Sequence, residues 1–176
     1  ACAKHFAVHS GPEWNRHTYN AENISPRDLW ETYLPAFKDL VQKADVKEVM
    51  CAYNSFEGSP CCGSNRLLMQ ILRDEWKYKH LVVSDCWAIN DIYMPVPKGH
   101  GAELDPAHAA SRAVASGTDV ECGSVYGNLP AAVKQDLINE DKINESVIRL
   151  LKARFELGEM DDPSLVPWMQ LKDEVI

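Results

Sequence analysis

The sequence lacks the features that several large classes of protein require. Its 176 residues carry 18 Lys and Arg against 26 Asp and Glu, a formal net charge of −8, and no run of basic residues forms a stripe. Proteins that bind nucleic acid carry clustered positive charge, so we expect no nucleic-acid partner. No apolar run approaches the roughly 20 residues of a membrane-spanning helix, and no signal peptide is visible. We therefore expect no membrane partner either.

Short motifs for nucleotide binding and for serine catalysis are also absent. The chain contains neither Gly-x-Gly-x-x-Gly nor Gly-x-x-x-x-Gly-Lys, whose backbone amides would cradle phosphate groups. It also lacks the Gly-x-Ser-x-Gly turn that exposes a nucleophilic serine. The sequence thus gives no support to a nucleotide cofactor or to a serine hydrolase.

Cysteine is present but sparse. Six cysteines are too few per residue for a small disulfide scaffold, and no Cys-x-x-Cys pair occurs. Cys61 and Cys62 are adjacent, and adjacent residues of a strand point to opposite faces, which disfavours joint metal ligation. The remaining cysteines lie in or just after apolar runs and are Cys2, Cys51, Cys86 and Cys122. We expect these to be small buried side chains rather than metal ligands.

Apolar runs and helical patterns alternate along the chain. Strand-like runs occupy residues 1–8, 46–53, 79–85 and 118–122. Helical spacing follows the cap residues Ser25 and Ser64, and Pro35 should interrupt the first of these helices. The alternation predicts an α/β fold, a partial (β/α)8 TIM-type barrel of about four parallel strands with flanking helices. A small flavodoxin-like binding domain is the alternative, although the chain lacks a phosphate-binding loop.

The C-terminal third is predicted to be mainly helical. One helix is expected over residues 130–138, and a last helix from Asn144 to a stop at Gly158. The apolar face of the last helix consists of Val147, Ile148, Leu151 and Phe155. The helical pattern ends soon after Gly158, so the end of the chain is expected to be a tail.

The third strand-like run is the most informative part of the chain. Its apolar residues 81–83 are followed directly by Ser84 and Asp85. A carboxylate at the carboxyl end of a buried strand lies where open α/β sheets and β/α barrels place their catalytic groups. The alternative is that Asp85 caps a helix that begins at Ala88.

Polar and aromatic residues follow the other strand-like runs as well. They are Lys4, His5, Tyr53, Asn54, Asp119 and Glu121, with Trp87 just beyond Asp85. Because parallel strands direct their carboxyl ends to the same edge, we expect these side chains to share one site. Carboxylates, cations, imidazole and aromatic rings together suit the binding and cleavage of sugars.

Four blocks of the chain resemble glycoside hydrolase family 3, on the side of its bacterial β-xylosidases and β-glucosidases. They are Ala-Lys-His-Phe-Ala-Val-His-Ser-Gly-Pro-Glu at 3–13, Val-Met-Cys-Ala-Tyr-Asn at 49–54, Val-Val-Ser-Asp-Cys-Trp-Ala-Ile at 82–89 and Ala-Ser-Gly-Thr-Asp-Val-Glu-Cys-Gly at 115–123. The last helix is similar to the end of that family's barrel domain. The resemblance therefore covers nearly the whole chain in the family's order.

The resemblance implies a retaining, exo-acting β-glycosidase that cleaves terminal sugars from an oligosaccharide or glycoside substrate. By position, Asp85 matches the catalytic nucleophile, and Lys4 and His5 match the pair that holds hydroxyls of the sugar. Tyr53 matches a tyrosine that lines the same subsite. Trp87 stands where many xylosidase-like members have a small residue, and it is either a sugar-stacking ring or a packed loop aromatic. No metal or organic cofactor is implied.

The resemblance also implies that the chain is a fragment. Residues 1–160 would form part of the barrel domain, and residues 161–176 would lead towards a missing second domain. The family's earlier strands, which contribute an acidic and an arginine ligand, would precede residue 1, and the acid/base would come from the second domain. These missing parts of the parent protein are expected as partners, and the isolated fragment is expected to be inactive.

Two questions stay open in the sequence. Glu57, Asp91 and Glu121 are possible neighbours of Asp85, since a retaining glycosidase needs a second carboxyl group. The chain could also be an inert half-barrel or a sugar-binding module that forms a homodimer through its open sheet edges. Location in the bacterial periplasm or outside the cell is expected from the resemblance alone.

Overall fold

The computed structural model describes residues 1–171. Its strands are β1 (Cys2–Phe6), β2 (Asn20–Ala21), β3 (Glu48–Cys51), β4 (Ser55–Phe56), β5 (Ser59–Pro60) and β6 (Leu81–Ser84). Its α-helices are α1 (Pro26–Asp28), α2 (Pro35–Gln42), α3 (Ala88–Tyr93), α4 (Pro106–Ala115), α5 (Leu129–Lys134) and α6 (Glu140–Glu156). A π-helix, Asn65–Glu75, lies between β5 and β6. This succession confirms the predicted α/β class.

The main sheet is parallel and has the order β1-β3-β6. Val49 of β3 pairs with Ala3 on one side and with Val82 on the other. The fourth strand predicted over residues 118–122 is reduced to one parallel bridge, between Val83 and Val120. The physical reason is that the carboxylate of Asp119 accepts the N–H of Val82 at 2.9 Å, so a side chain takes a donor that a longer ladder would use.

The core lies between this sheet and the helices that follow its strands. Ser64 caps the π-helix, since its hydroxyl accepts the N–H of Leu67 at 3.3 Å, which confirms the predicted cap. The side chains that the π-helix buries are Leu67, Leu68, Ile71 and Leu72. Helix α4 buries the small residues Ala109, Ala110 and Ala113 and packs against α3, α5 and α6. Apolar burial of this extent is the main favourable contribution to folding.

The helices differ from the sequence prediction mainly at their ends. Pro35 interrupts the first helical stretch as expected, because a π-helical turn, Leu29–Tyr33, precedes it and α2 begins at it. Helix α6 begins four residues before Asn144, because Asn139 caps it by accepting the N–H of Lys142 at 3.1 Å. No helix within residues 1–171 has the length and apolar character that a membrane crossing requires.

The apolar face of α6 is exposed to solvent. Its members Val147, Ile148, Leu151 and Phe155 are exposed large hydrophobic residues. The outer edge of β1 is also open, since within residues 1–171 this strand pairs only with β3. Proteins normally cover long strand edges and large apolar faces.

Four of the six cysteines form two disulfides, which the prediction of small buried side chains did not include. Cys51 is bonded to Cys62 and Cys86 to Cys122, with Cα–Cα distances of 5.1 Å and 4.4 Å. The partners are 11 and 36 residues apart in sequence, and the chain crossovers bring them together. Cys51 is fully buried as predicted and Cys2 is a partly buried free thiol, whereas Cys86 is exposed, so the predicted burial was wrong for Cys86.

Asp119 belongs to a buried ion network and not to the site at the strand ends, which corrects the prediction for this residue. Its side chain is fully buried, and one oxygen lies 2.7 Å from Arg73 Nη2. The other oxygen lies 3.4 Å from Arg149 Nη1. Burial lowers the pKa of Arg73, and the carboxylate opposes that shift. The Asp119 carboxylate therefore links the π-helix, α6 and β6, through Arg73, Arg149 and the N–H of Val82.

Removal of this charge should destabilise the fold. In an Asp119→Ala variant, the mostly buried guanidinium of Arg73 would lose its counter-charge, and such losses cost about 3–5 kcal/mol. Asp39→Ala is the control, since its pair with Lys43 is exposed and should contribute less than about 0.5 kcal/mol. Urea denaturation of the purified proteins gives both free energies of unfolding. Equal losses in the two variants would contradict this role of Asp119.

Candidate active site

Asp85 and His5 meet at the carboxyl edge of the main sheet. His5 Nε2 lies 3.3 Å from Asp85 Oδ2, and the Asp85 side chain is 14% exposed. The other carboxylate oxygen accepts the N–H of Cys86 at 2.8 Å. The first turn of α3 does not use this carboxylate, because the N–H of Ala88 donates to the main-chain oxygen of Asp85 at 3.0 Å. Asp85 thus presents a fixed, accessible carboxylate and does not cap α3 with its side chain.

Tyr53, two residues after the end of β3, lies next to the Asp85 carboxylate. Its hydroxyl donates to the main-chain oxygen of Cys86 at 2.6 Å. Burial, together with the negative charge of Asp85, raises the pKa of Tyr53 to about 12. The phenol therefore stays protonated at neutral pH and keeps its hydrogen bond. Burial also lowers the pKa of His5, although Asp85 opposes this shift.

Lys4 and Trp87 lie at the exposed border of the site. Lys4 is exposed, and together with His5 and His9 it lines an open cavity. Trp87 is 55% exposed and adopts a left-handed backbone conformation, φ 69°, at the start of α3. The main-chain N–H of Trp87 donates to the main-chain oxygen of Cys122 at 2.7 Å, and this bond leaves the indole free. Within residues 1–171 the indole is therefore not a packed loop aromatic.

Of the possible neighbours of Asp85, only Asp91 belongs to the same cluster. Its Oδ2 lies 2.7 Å from His17 Nδ1. Burial raises the pKa of Asp91 to about 6, with His17 acting in the opposite direction and the charge of Asp85 adding to the increase. Glu57 instead pairs with Arg66. Glu121 accepts the N–H groups of a turn, those of Val125 and Tyr126 at 2.8 Å and 2.6 Å.

Sequence reasoning missed Arg16 and His17. The His17 ring centroid lies 4.3 Å from that of Tyr53, and the guanidinium of Arg16 lies 5.0 Å from the same ring. Both residues belong to the loop after β1, which also carries His9. The presence of His9, Arg16 and His17 in the single loop that follows a strand was the feature of the sequence that could have indicated them as site residues.

A second set of polar contacts fixes the segment after β3. Asn54 is fully buried. Its Oδ1 accepts a hydrogen bond from His9 Nδ1 at 3.1 Å, and its Nδ2 donates to the main-chain oxygen of Val8 at 3.3 Å. His100 Nε2 donates to the main-chain oxygen of Tyr53 at 2.8 Å. Burial lowers the pKa of His100, which favours its neutral form. Within residues 1–171, no three His, Cys, Asp or Glu side chains converge as metal ligands would.

Comparison with known proteins places this geometry in context. Residues 1–153 match the profile described as "Glycosyl hydrolase family 3 N terminal domain". A relative named "Xylan 1,4-beta-xylosidase", from Xylanibacter ruminicola, is 57% identical over 173 residues, which are 97% of this chain and 20% of that protein. The chain thus spans about a fifth of the length of this curated relative.

Solved structures share the fold. A family 3 exo-β-xylosidase, XlnD, in complex with a xylobiose aziridine activity-based probe, has a TM-score of 0.90 at 30% identity, covering 98% of this chain and 22% of that one. A β-glucosidase from Listeria innocua has a TM-score of 0.81 at 29% identity, with coverage of 98% and 23%. This likeness supports the predicted partial barrel.

The raised pKa of Asp91 predicts a pH-dependent stability. The folded protein binds the Asp91 proton more tightly than the unfolded chain does, so this contribution is present below about pH 4 and is lost as the pH rises through about 6. An Asp91→Asn variant cannot lose that proton. Its free energy of unfolding relative to wild type should therefore increase between pH 4 and pH 7, measured by urea denaturation. Asp74→Asn, at an exposed position, should show no such trend, and a flat difference for both variants would contradict the prediction.

Proposed function

Because this chain belongs to glycosyl hydrolase family 3, we propose that it forms part of a retaining, exo-acting β-glycosidase. The observation that carries the proposal is the Asp85 carboxylate at the end of β6, accessible and held between the N–H of Cys86 and the ring of His5. β-Linked xylose is the favoured substrate over glucose, because the β-xylosidase relative and the β-xylosidase structure match more closely than the Listeria β-glucosidase.

In the proposed reaction, Asp85 attacks the anomeric carbon while the bond to the leaving oxygen breaks. The products of this step are a covalent glycosyl-enzyme and an aglycone, whose oxygen takes a proton from a general acid. Water then displaces the carboxylate at the same carbon and gives up a proton, so the configuration is retained. The general acid is proposed to come from the parent protein outside this chain, since Glu57 and Glu121 are engaged elsewhere and the Asp91 carboxylate is bound to His17.

The neighbouring side chains are proposed to bind the sugar. Lys4 and His5 are suited to donate hydrogen bonds to its hydroxyl groups, because they line one open cavity and His5 also contacts Asp85. Tyr53 supplies one wall, and the exposed ring of Trp87 offers an aromatic face on which a sugar can stack. These contacts would orient the anomeric carbon towards Asp85.

The two disulfides support a location in an oxidising compartment. Such bonds persist in the periplasm and outside the cell, and they are rare in a reducing cytosol. Here Cys51–Cys62 is buried while Cys86 is exposed. We therefore propose a periplasmic or secreted parent protein.

A substitution at Asp85 tests the nucleophile. In the full-length protein, Asp85→Asn should lower kcat/KM for an aryl β-xyloside by several orders of magnitude, since an amide cannot form the covalent glycosyl ester. A 2-fluoro xyloside should label Asp85 in the wild-type protein, as peptide mass spectrometry can show. Asp141→Asn, at an exposed position of α6, is the matched control and should keep full activity. Unchanged turnover in Asp85→Asn would refute the proposal.

The competing hypothesis is an inert half-barrel that pairs with a second copy. The open edge of β1 and the exposed face of α6 favour it, but the missing segments of the longer protein would cover the same surfaces. We expect the purified 176-residue chain to hydrolyse no xylobiose, because a natural leaving group needs a proton donor. Steady xylobiose hydrolysis by this chain would show that a carboxylate within it serves as the acid/base. Size-exclusion chromatography with light scattering reports whether a dimer forms.

A further inference from the structure

A line of contacts runs from Asp91 to the segment that holds Asp85. Asp91 lies on α3, and its Oδ2 atom contacts His17 Nδ1 at 2.7 Å. The His17 ring lies against the ring of Tyr53, with centroids 4.3 Å apart. The Tyr53 hydroxyl donates to the main-chain oxygen of Cys86 at 2.6 Å. The proposed reaction gives no role to Asp91 or His17.

The hydrogen-bond directions in this line fix the state of His17. Arg16 Nε lies 3.3 Å from His17 Nε2, and a guanidinium can only donate. His17 Nε2 must therefore accept, which leaves the proton on Nδ1, where it is donated to Asp91. Both ring nitrogens are used, so the imidazole is held in one tautomer and one orientation.

The line returns to the carboxylate that is proposed to react. Cys86 directly follows Asp85, and its N–H donates to Asp85 Oδ1 at 2.8 Å. The main-chain oxygen of Cys86 accepts a hydrogen bond from the Tyr53 hydroxyl. The main chain of Cys86 thus contacts Asp85 through its N–H and Tyr53 through its oxygen. Asp91 lies six positions after Asp85 in the same segment. His17 and Tyr53 consequently bridge the two ends of the segment 85–91.

We propose that Arg16, His17 and Asp91 form a positioning device that holds Tyr53 against Cys86 and thereby orients the Asp85 carboxylate for attack. The inference rests on the proposed function, in which Asp85 is the nucleophile. The device acts through Tyr53 and does not touch the sugar. Orientation matters here because a displacement of about 1 Å at a reacting group can cost about 100-fold in rate.

The test uses the full-length protein with Asp91→Ala and Asp91→Asn. Alanine removes the acceptor for His17 Nδ1, whereas asparagine keeps an acceptor oxygen of similar reach. We expect Asp91→Ala to lower kcat for an aryl β-xyloside, and the first-order rate of labelling by a 2-fluoro xyloside, about 10- to 100-fold. KM should stay within about threefold, and Asp91→Asn should keep most of the activity.

A matched control is available in the same chain. Asp105 also pairs with a histidine, His108, at 3.0 Å, and it caps α4. Asp105→Ala should lower thermal stability but leave kcat and the labelling rate unchanged. If Asp91→Ala does not fold, His17→Phe replaces it, because phenylalanine keeps a ring against Tyr53 and loses both hydrogen bonds. The same fall in kcat is expected.

Several results would overturn the positioning role. They are unchanged kinetics in Asp91→Ala and in His17→Phe, equal losses in Asp91→Ala and Asp91→Asn, or a change confined to KM. Asp85→Asn is measured in parallel and separates the two proposals. Full turnover in Asp85→Asn would remove the proposed function itself, whereas an inactive Asp85→Asn beside a fully active Asp91→Ala would remove only the positioning device.

Discussion

The parallel pairing of β1, β3 and β6 is the constraint on which the rest of the structure depends. Phe6 pairs with Cys51, and Cys51 pairs with Ser84, so the three strands end at nearly the same level. Side chains placed at or just after each strand end are therefore neighbours in space, however far apart they lie in sequence. A shift of register would separate His5 from Asp85 and remove the candidate site.

The segment after β6 is held from both sides of its strand. On one side, Tyr53 donates to the main-chain oxygen of Cys86. On the other side, Cys86 forms a disulfide with Cys122, and the main-chain N–H of Trp87 donates to the main-chain oxygen of Cys122. A carboxylate on such a segment has few alternative positions, and this rigidity suits a group that must meet one carbon atom of a substrate.

The carboxylates of the chain show how environment assigns different roles to one functional group. Asp119 is fully buried and is neutralised by two arginines, so it stabilises the fold. Asp91 is buried against an imidazole, and its pKa rises to about 6. Asp85 is partly exposed, with one oxygen bound to an N–H and the other close to His5. Burial and the nature of the partner separate these roles, whereas residue type does not.

Features that depend on neighbouring residues could be read from the amino-acid sequence. The apolar run 81–83 before Asp85 and the cap at Ser64 could be identified because strand and helix signals are local. The pairing of His17 with Asp91, which are 74 residues apart, and the choice of disulfide partners follow instead from the packing of the folded chain. The same packing places the side chain of Asp119 in the core. Such contacts depend on how the crossovers pack helices onto the sheet, and no local pattern encodes that packing.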